Sequence, residues 1–297
     1  MTGLDKLRVF QWSIGIMRRP VAESLQGWRD REIEWLRITP EPQTAADPFG
    51  LVRDGRLHVF FECIPFGRPD GFIAHVEVEA DGRTSPAEPV LQLSHHISYP
   101  FLVEFRGDLY MVPESSRAED VTLYRCTQFP TRWEKAAVIL PGVKSLDNTI
   151  VEYGGRWWLF AARGKSGTDL HLWWAASPLG PWTAHPRNPV KADPGSSRPA
   201  GTPFVKDGVL YRPAMDNAAG YGRRIVVNRI TALSPEEFSE EPVTCLEPDP
   251  GSFCPRARHT LAAAGPFTLT DGARSPYTVN PVKLLGKLRT RSPFRRK

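Results

Sequence analysis

"ADPFGLVRDGRLHVFFE", residues 46–62, decides the fold, because the chain writes it again at 98–114 as "SYPFLVEFRGDLYMVPE" and at 146–162 as "LDNTIVEYGGRWWLFAA". Each copy has an apolar run, a short polar turn ending in glycine, and a second apolar or aromatic run. That pattern is a β-hairpin. Internal repetition of this kind takes precedence over other fold signals. Anchored on the turn glycines Gly55, Gly107, Gly155, Gly208 and Gly272, the copies recur at intervals of 52, 48, 53 and 64 residues. Those intervals match one four-stranded propeller blade with its loops. The Asp-Gly and Gly-Gly turns favour the positive φ values of tight hairpins.

Further strand-like segments at 71–80, 120–129, 168–177 and 221–230 follow the hairpins, and edge-strand candidates follow three of those. Helical periodicity is nearly absent, and only 22–38, "AESLQGWRDREIEWLRI", reads as a competing short helix. The N-terminal "VFQWSIGIM" has no blade of its own. It is expected to complete the last blade and close the ring without a free edge. The expectation is therefore an all-β, five-bladed β-propeller over residues 1–275, closed by the N-terminal strand, with a basic tail at 276–297.

Composition suits this reading. The chain has 297 residues, 41% hydrophobic and 24% charged, with 29 prolines and 24 glycines spread through it, as many short elements and turns require. The net charge of +5 invites a nucleic-acid partner, but it resides in residues 283–297, where Lys283, Lys287, Arg289, Arg291, Arg295, Arg296 and Lys297 meet no acid. Nucleic acid is thus not expected. The tail reads as a solvated end, with weak contact to an acidic membrane surface as the sharper alternative. Cys63, Cys126, Cys245 and Cys254 show no metal or redox spacing. No cofactor or metal is expected. Without a signal-peptide pattern or a long apolar span, a cytoplasmic protein is the default.

The register carries the chemistry. Eight residues before the turn glycines stand Asp47, Tyr99 and Asp147, and seven after the first two stand Glu62 and Glu114. In a hairpin, the start of one strand lies beside the end of the next. These residues should therefore gather at one mouth of the channel, with Asp47 near Glu62, Tyr99 near Glu114 and Asp147 near Arg163. Converging carboxylates repel, which raises pKa values and suits acid–base chemistry. Paired carboxylates are also what glycoside hydrolysis uses. Asp47, Glu114 and Asp147 are the catalytic candidates. Glu62, His96, Tyr99, Arg163, Arg198, Asp216, Tyr221 and His259 are the substrate-binding candidates. Trp157, Trp158, Trp173 and Trp174 offer ring faces, although one ring of each pair is expected in the core. His95 and His96, adjacent on a strand, point opposite ways and do not suit one ion. Arg198 reads either as a counter-ion to the carboxylates or as the holder of an anionic substrate group, the latter favoured.

These residues also carry a resemblance. "WSIGI", "ADPF", "SYPF", "GDLYMVPES", "GGRWWLF", "RPAG" and "RPAMD" together resemble the five-bladed N-terminal domain of plant glucosamine inositolphosphorylceramide transferases, over residues 10–275. That domain is similar in turn to arabinanase- and xylosidase-type glycosidases. The resemblance implies a carbohydrate or glycolipid substrate, and a glycosyltransferase or formyltransferase as partner. It implies a base at Asp47 and an orienting role at Asp147. The glycosidases' acid, a Glu from a later blade, has no counterpart at Arg198-Pro199-Ala200-Gly201, and Asn148 replaces the proline that often follows the second Asp. Glu114 stands in as the acid on geometry. The expected function is a glycoside hydrolase acting at the channel mouth, with a non-catalytic glycan or glycolipid binder that assists a transferase as the alternative.

Overall fold

The structure, a computed structural model, describes residues 9–277. The described residues form an all-β fold of four sheets with three short 3-10 turns. Four repeats are built from hairpins: Thr44–Arg53 with Arg56–Ile64, Ser98–Phe105 with Asp108–Glu114, Leu146–Tyr153 with Arg156–Arg163, and Phe204–Lys206 with Val209–Asp216. Phe72–Val78, Val121–Gln128, Asp169–Ala175 and Arg224–Leu233 pair antiparallel with the second strand of each hairpin. Glu88–Leu91, Arg132–Leu140, Thr183–Ala184 and Phe238–Leu246 follow at the sheet edges. Burial tracks this order. Leu57–Cys63 is buried at every position, packed on both faces, whereas Phe238–Leu246 is mostly exposed.

The hairpin turns have the geometry their residues demand. Asp54–Gly55, Arg106–Gly107, Gly154–Gly155 and Asp207–Gly208 all have φ between 51° and 83°. Two successive positive φ values match the right-handed twist of the flanking strands. The fifth hairpin differs from the expected register. Its turn is at Gly265-Pro266, where Ala264 pairs with Phe267, and not at Gly272. Gly272 lies inside the long Phe267–Tyr277 strand, opposite Ser13. "TDG" has the composition of a turn, but Gly265 (φ 61°) followed by a φ-locked proline makes the tighter one.

The N-terminal strand Val9–Met17 pairs antiparallel with Phe267–Tyr277, from Val9↔Tyr277 to Met17↔Thr268. It also meets the first hairpin through one parallel pair, Trp12↔Thr44. The chain's described ends therefore lie in the same sheet as the first repeat. Residues 22–38 form no α-helix; two 3-10 turns, Val21–Gln26 and Asp30–Glu32, appear instead. Gly27 (φ 77°) stops the first, and Asp30 is drawn into a buried ion pair with both terminal nitrogens of Arg258, at 2.8 and 3.0 Å. Of the expected tail, residues 278–297 lie outside the described residues, and residues 276 and 277 end the last strand. Among the described residues no helix is long and apolar enough to cross a membrane. The four cysteines are free thiols, with Cys63 and Cys254 buried and Cys245 exposed.

Candidate active site

One backbone device is repeated three times where the hairpins begin. Pairing skips between Ala46 and Phe49, between Ser98 and Phe101, and between Leu146 and Thr149, so two residues oppose one. These are β-bulges. The first extra residue of each is Asp47, Tyr99 and Asp147, and all three sit in the left-handed region, with φ 51°, 48° and 52°. Non-glycine residues there cost energy and concentrate at functional sites. The bulge turns these side chains off the pleat and buries them, at 7%, 1% and 2% exposure.

Asp271 organises what Asp47 meets. Fully buried, it accepts the backbone N–H groups of His259 (2.9 Å) and Thr260 (3.0 Å) on Oδ1 and that of Asp47 (3.0 Å) on Oδ2. The same Oδ2 lies 2.7 Å from Nδ1 of His259. Burial opposes the charge on Asp271, but His259 and these hydrogen bonds outweigh it and hold the carboxyl below its usual range. Burial also opposes an imidazolium, yet Asp271 and then Asp47 push His259 up to about 9. His259 is thus a buried cation, stacked on Trp12 with ring centroids 4.0 Å apart. Asp47 accepts from the Thr260 hydroxyl at 2.9 Å and lies 3.3 Å from Nδ1 of His259. Burial raises it, His259 pulls it back, and Asp147 and Asp271 push it further, leaving Asp47 at about 6.

Two glutamates are held in the opposite state. Glu62, paired with Ala46, is pushed up to about 8 by burial and then by Asp47. His96 takes the Gly71 N–H on Nδ1 at 2.9 Å, which leaves Nε2–H to face Glu62 at 3.3 Å. Glu114, paired with Ser98, is raised well above the usual range by burial and then by Asp147. Asp147 is held by Arg198, whose Nε makes a short contact to Oδ2 and whose Nη2 reaches Oδ1 at 3.2 Å. Arg198 also lies 3.8 Å from Glu114. The segment that presents Arg198 is stapled by buried Arg212, which donates to the Ser196 carbonyl at 2.7 Å and to Glu240 at 2.8 Å. Tyr221 covers this side, its ring 5.4 Å from Arg198 Cζ and 5.4 Å from His259, and it is exposed.

The structure therefore brings Asp47, Glu62, Glu114, Asp147, His96, Arg198, Tyr221 and His259 into one connected cluster. Tyr99 lies beneath it and faces inward. Its hydroxyl accepts the Gly201 N–H at 2.7 Å and meets Thr149 at 2.9 Å, so it ties neighbouring sheets together. Arg163 is not beside Asp147. The bulge places Ala162 opposite Leu146, and Arg163 pairs with Asp169 and donates to the Lys144 carbonyl at 3.2 Å. Asp216 is held by Arg224 at 2.7 Å and by the Ala218 N–H, within its own loop. Trp158 and Trp173 are core residues, and Trp157 and Trp158 pair with Glu152 and Val151 near the hairpin turn, away from the bulge. The aromatic wall of the cluster is instead Trp12. Asp271 and Trp12 were not singled out in the sequence: one was hidden in a turn-like "TDG", the other in a plain strand.

Asp47, His259 and Asp271 each offer a ligand atom within 4.8 Å of the others. A metal needs a neutral imidazole nitrogen. In this structure Nδ1 of His259 is paired with Asp271 at 2.7 Å.

Bulge, buried carboxylates and antiparallel sheets together define the class of fold. Its solved relatives are β-propeller glycoside hydrolases. They include a family 117 glycoside hydrolase of Zobellia galactanivorans (13% identity, 80% of this chain and 86% of that one, TM-score 0.56). An α-L-arabinofuranosidase of Podospora anserina is similar at 10% identity, covering 78% and 91%, with TM-score 0.57. This likeness is one of fold. By sequence, the chain belongs to the family described as glucosamine inositolphosphorylceramide transferase 1, N-terminal, which matches residues 39–250. The rice protein named glucosamine inositolphosphorylceramide transferase 1 is 36% identical over 208 residues, covering 67% of this chain and 28% of that protein. The Arabidopsis thaliana protein of that name is 32% identical over 256 residues, covering 77% and 33%. The chain thus spans about a third of the length of these curated relatives or less.

Proposed function

We propose that this chain is a carbohydrate-active protein of the glycoside hydrolase type, working at one mouth of a five-bladed propeller that the Val9–Met17 strand closes. One observation carries the reading: neighbouring buried carboxyls are held in opposite charge states. Asp47, at about 6, is ionised at neutral pH, while Glu114 is raised well above the carboxylate range and keeps its proton. Environments that push two carboxyl pKa values apart separate an acid from a base. Glu114 gives its proton to the leaving glycosidic oxygen, and Asp47 takes a proton from the attacking water or attacks the sugar carbon itself. Asp147, fixed by Arg198, keeps Glu114 protonated. The family's name and the hydrolase fold of the solved relatives support a glycan or glycolipid as substrate.

A second reading, a propeller that binds a glycan without cleaving it and presents it to a transferase, is favoured by the Arg198 contact. It occupies both oxygens of Asp147, and no glutamate stands at that position. The test is a screen of glycans and aryl glycosides, scored for both cleavage and thermal-shift binding, with Asp47→Asn and Glu114→Gln beside the wild type. Cleavage lost in both variants supports the hydrolase. Binding without cleavage transfers the protein to the second reading, and neither signal overturns both.

A further inference from the structure

Beside the N-terminal strand, whose Trp12 stacks on His259, lies a cavity of about 410 Å³. Its walls are Trp12 and Gln11 on the N-terminal strand, Arg37 and Glu41 on the segment that follows, and Phe253 and Arg274.

The lining has a definite chemistry. Phe253 is 48% exposed, and Cζ of Arg274 lies over its ring, 4.3 Å from the centroid. The exposed Phe253 ring offers an apolar face of the sort that sugar C–H surfaces cover. Arg274 contacts Glu41 at 3.0 Å, and Gln11 donates to the same Glu41 oxygen at 2.8 Å. Glu41 is itself 65% exposed at the side chain, so it is a solvated partner that an incoming anion can displace. Nε of Arg274 is buried without an acceptor. Arg37, exposed, has no ion-pair partner among the described residues. Two arginines thus line the same cavity as one solvated carboxylate, with hydrogen-bonding capacity unspent.

From this we infer that the cavity is a second sugar subsite, selective for a unit that carries an anionic group, either a carboxylate or a phosphate. Arg37 and Arg274 take the anion, and Phe253 takes the ring. The inference deepens the carbohydrate reading and rests on it.

The probes are methyl β-glucuronide, glucose 1-phosphate and methyl β-glucoside, titrated into the full chain at low salt by calorimetry and by Trp fluorescence. The anionic probes bind about tenfold or more tighter than the neutral one, as a charge-assisted contact provides, and added salt reduces the difference. Binding of the glucuronide alone identifies a carboxylate subsite, and binding of the phosphate alone a phosphate subsite. Arg37→Ala and Arg274→Gln each reduce the preference, and Phe253→Ala weakens all binding. Should Arg274→Gln fail to fold, exposed Arg37 carries the test. Asp47→Asn keeps the preference, which separates the two ideas: selective binding without any cleavage sinks the hydrolase and leaves the subsite. Equal or undetectable binding of the three probes, or a preference that survives in both arginine variants, overturns the subsite.

Discussion

Nδ1 of His259 lies 2.7 Å from Oδ2 of Asp271, and this contact keeps a positive charge at the centre of a group of buried carboxyls. Every other charge state in the cluster is read against it. Asp47 is ionised at neutral pH because the imidazolium 3.3 Å away offsets its burial, and Glu62 is protonated because burial, and then ionised Asp47, raise it.

Asp271→Asn tests the anchor. It leaves His259 charged, buried and facing an amide, so the protein loses about 3 kcal/mol. The imidazole then titrates well below its present value of about 9. Urea unfolding and an NMR titration of the His259 ring read the two effects. An unchanged ring titration would show that Asp271 does not hold the proton.

Stability should fall as pH rises from near neutral to alkaline. Asp47, Glu62 and His259 all have folded-state values raised above their ordinary ones, to about 6, 8 and 9. A raised group contributes stability that is complete below its unfolded value and is lost as pH climbs through its folded value. Between about pH 4 and 6.5 the histidines that burial lowers, His75 to about 4 and also His58, His96, His171 and His185, act in the opposite sense, so the net fall lies between about pH 6.5 and 9. Within its own interval each group costs about 1.4 kcal/mol per pH unit. Glu62→Gln removes one proton from the balance, so it stabilises the protein above pH 8 and flattens the melting-temperature profile, with little effect near pH 4.5. A parallel pair of profiles, wild type and variant, would refute the raised Glu62.

Arg198 and Asp147 form a buried pair in which each justifies the other. Arg198→Met strands the Asp147 carboxylate and costs about 3 kcal/mol or more. Adding Asp147→Leu removes the stranded charge and recovers part of the loss, so the two changes are strongly non-additive. Thermal melts of the two single variants and the double complete the cycle. Additive losses would mean that the contact carries no energy.

Tyr99→Phe separates support from recognition. The variant keeps the ring packed on Phe49, 4.8 Å away, but leaves the buried Gly201 N–H without its acceptor. A loss of about 1–2 kcal/mol follows. Affinity for any sugar that binds the wild type stays the same, and a fall in affinity with unchanged stability would place Tyr99 at the ligand.

How much of this was legible beforehand depended on range. The bulge residues Asp47 and Asp147 and the glutamates Glu62 and Glu114 were found because hairpin register is a local property: a fixed count from a turn whose Asp-Gly or Gly-Gly announces itself. The same rule failed at the fifth hairpin, where "TDG" imitates a turn inside a strand, and the error concealed Asp271.

The sequence alone determined the all-β character, the hairpin turns and the positions of most carboxyls, because period-two burial and positive φ are written in neighbouring residues. Only the tertiary structure decided which groups meet. Trp12 reaches His259 because the N-terminal strand pairs with Phe267–Tyr277. Asp147 takes Arg198 from the next sheet rather than Arg163 from its own hairpin. Charge states followed last, since burial and Coulomb forces depend on distance in space and not on separation along the chain.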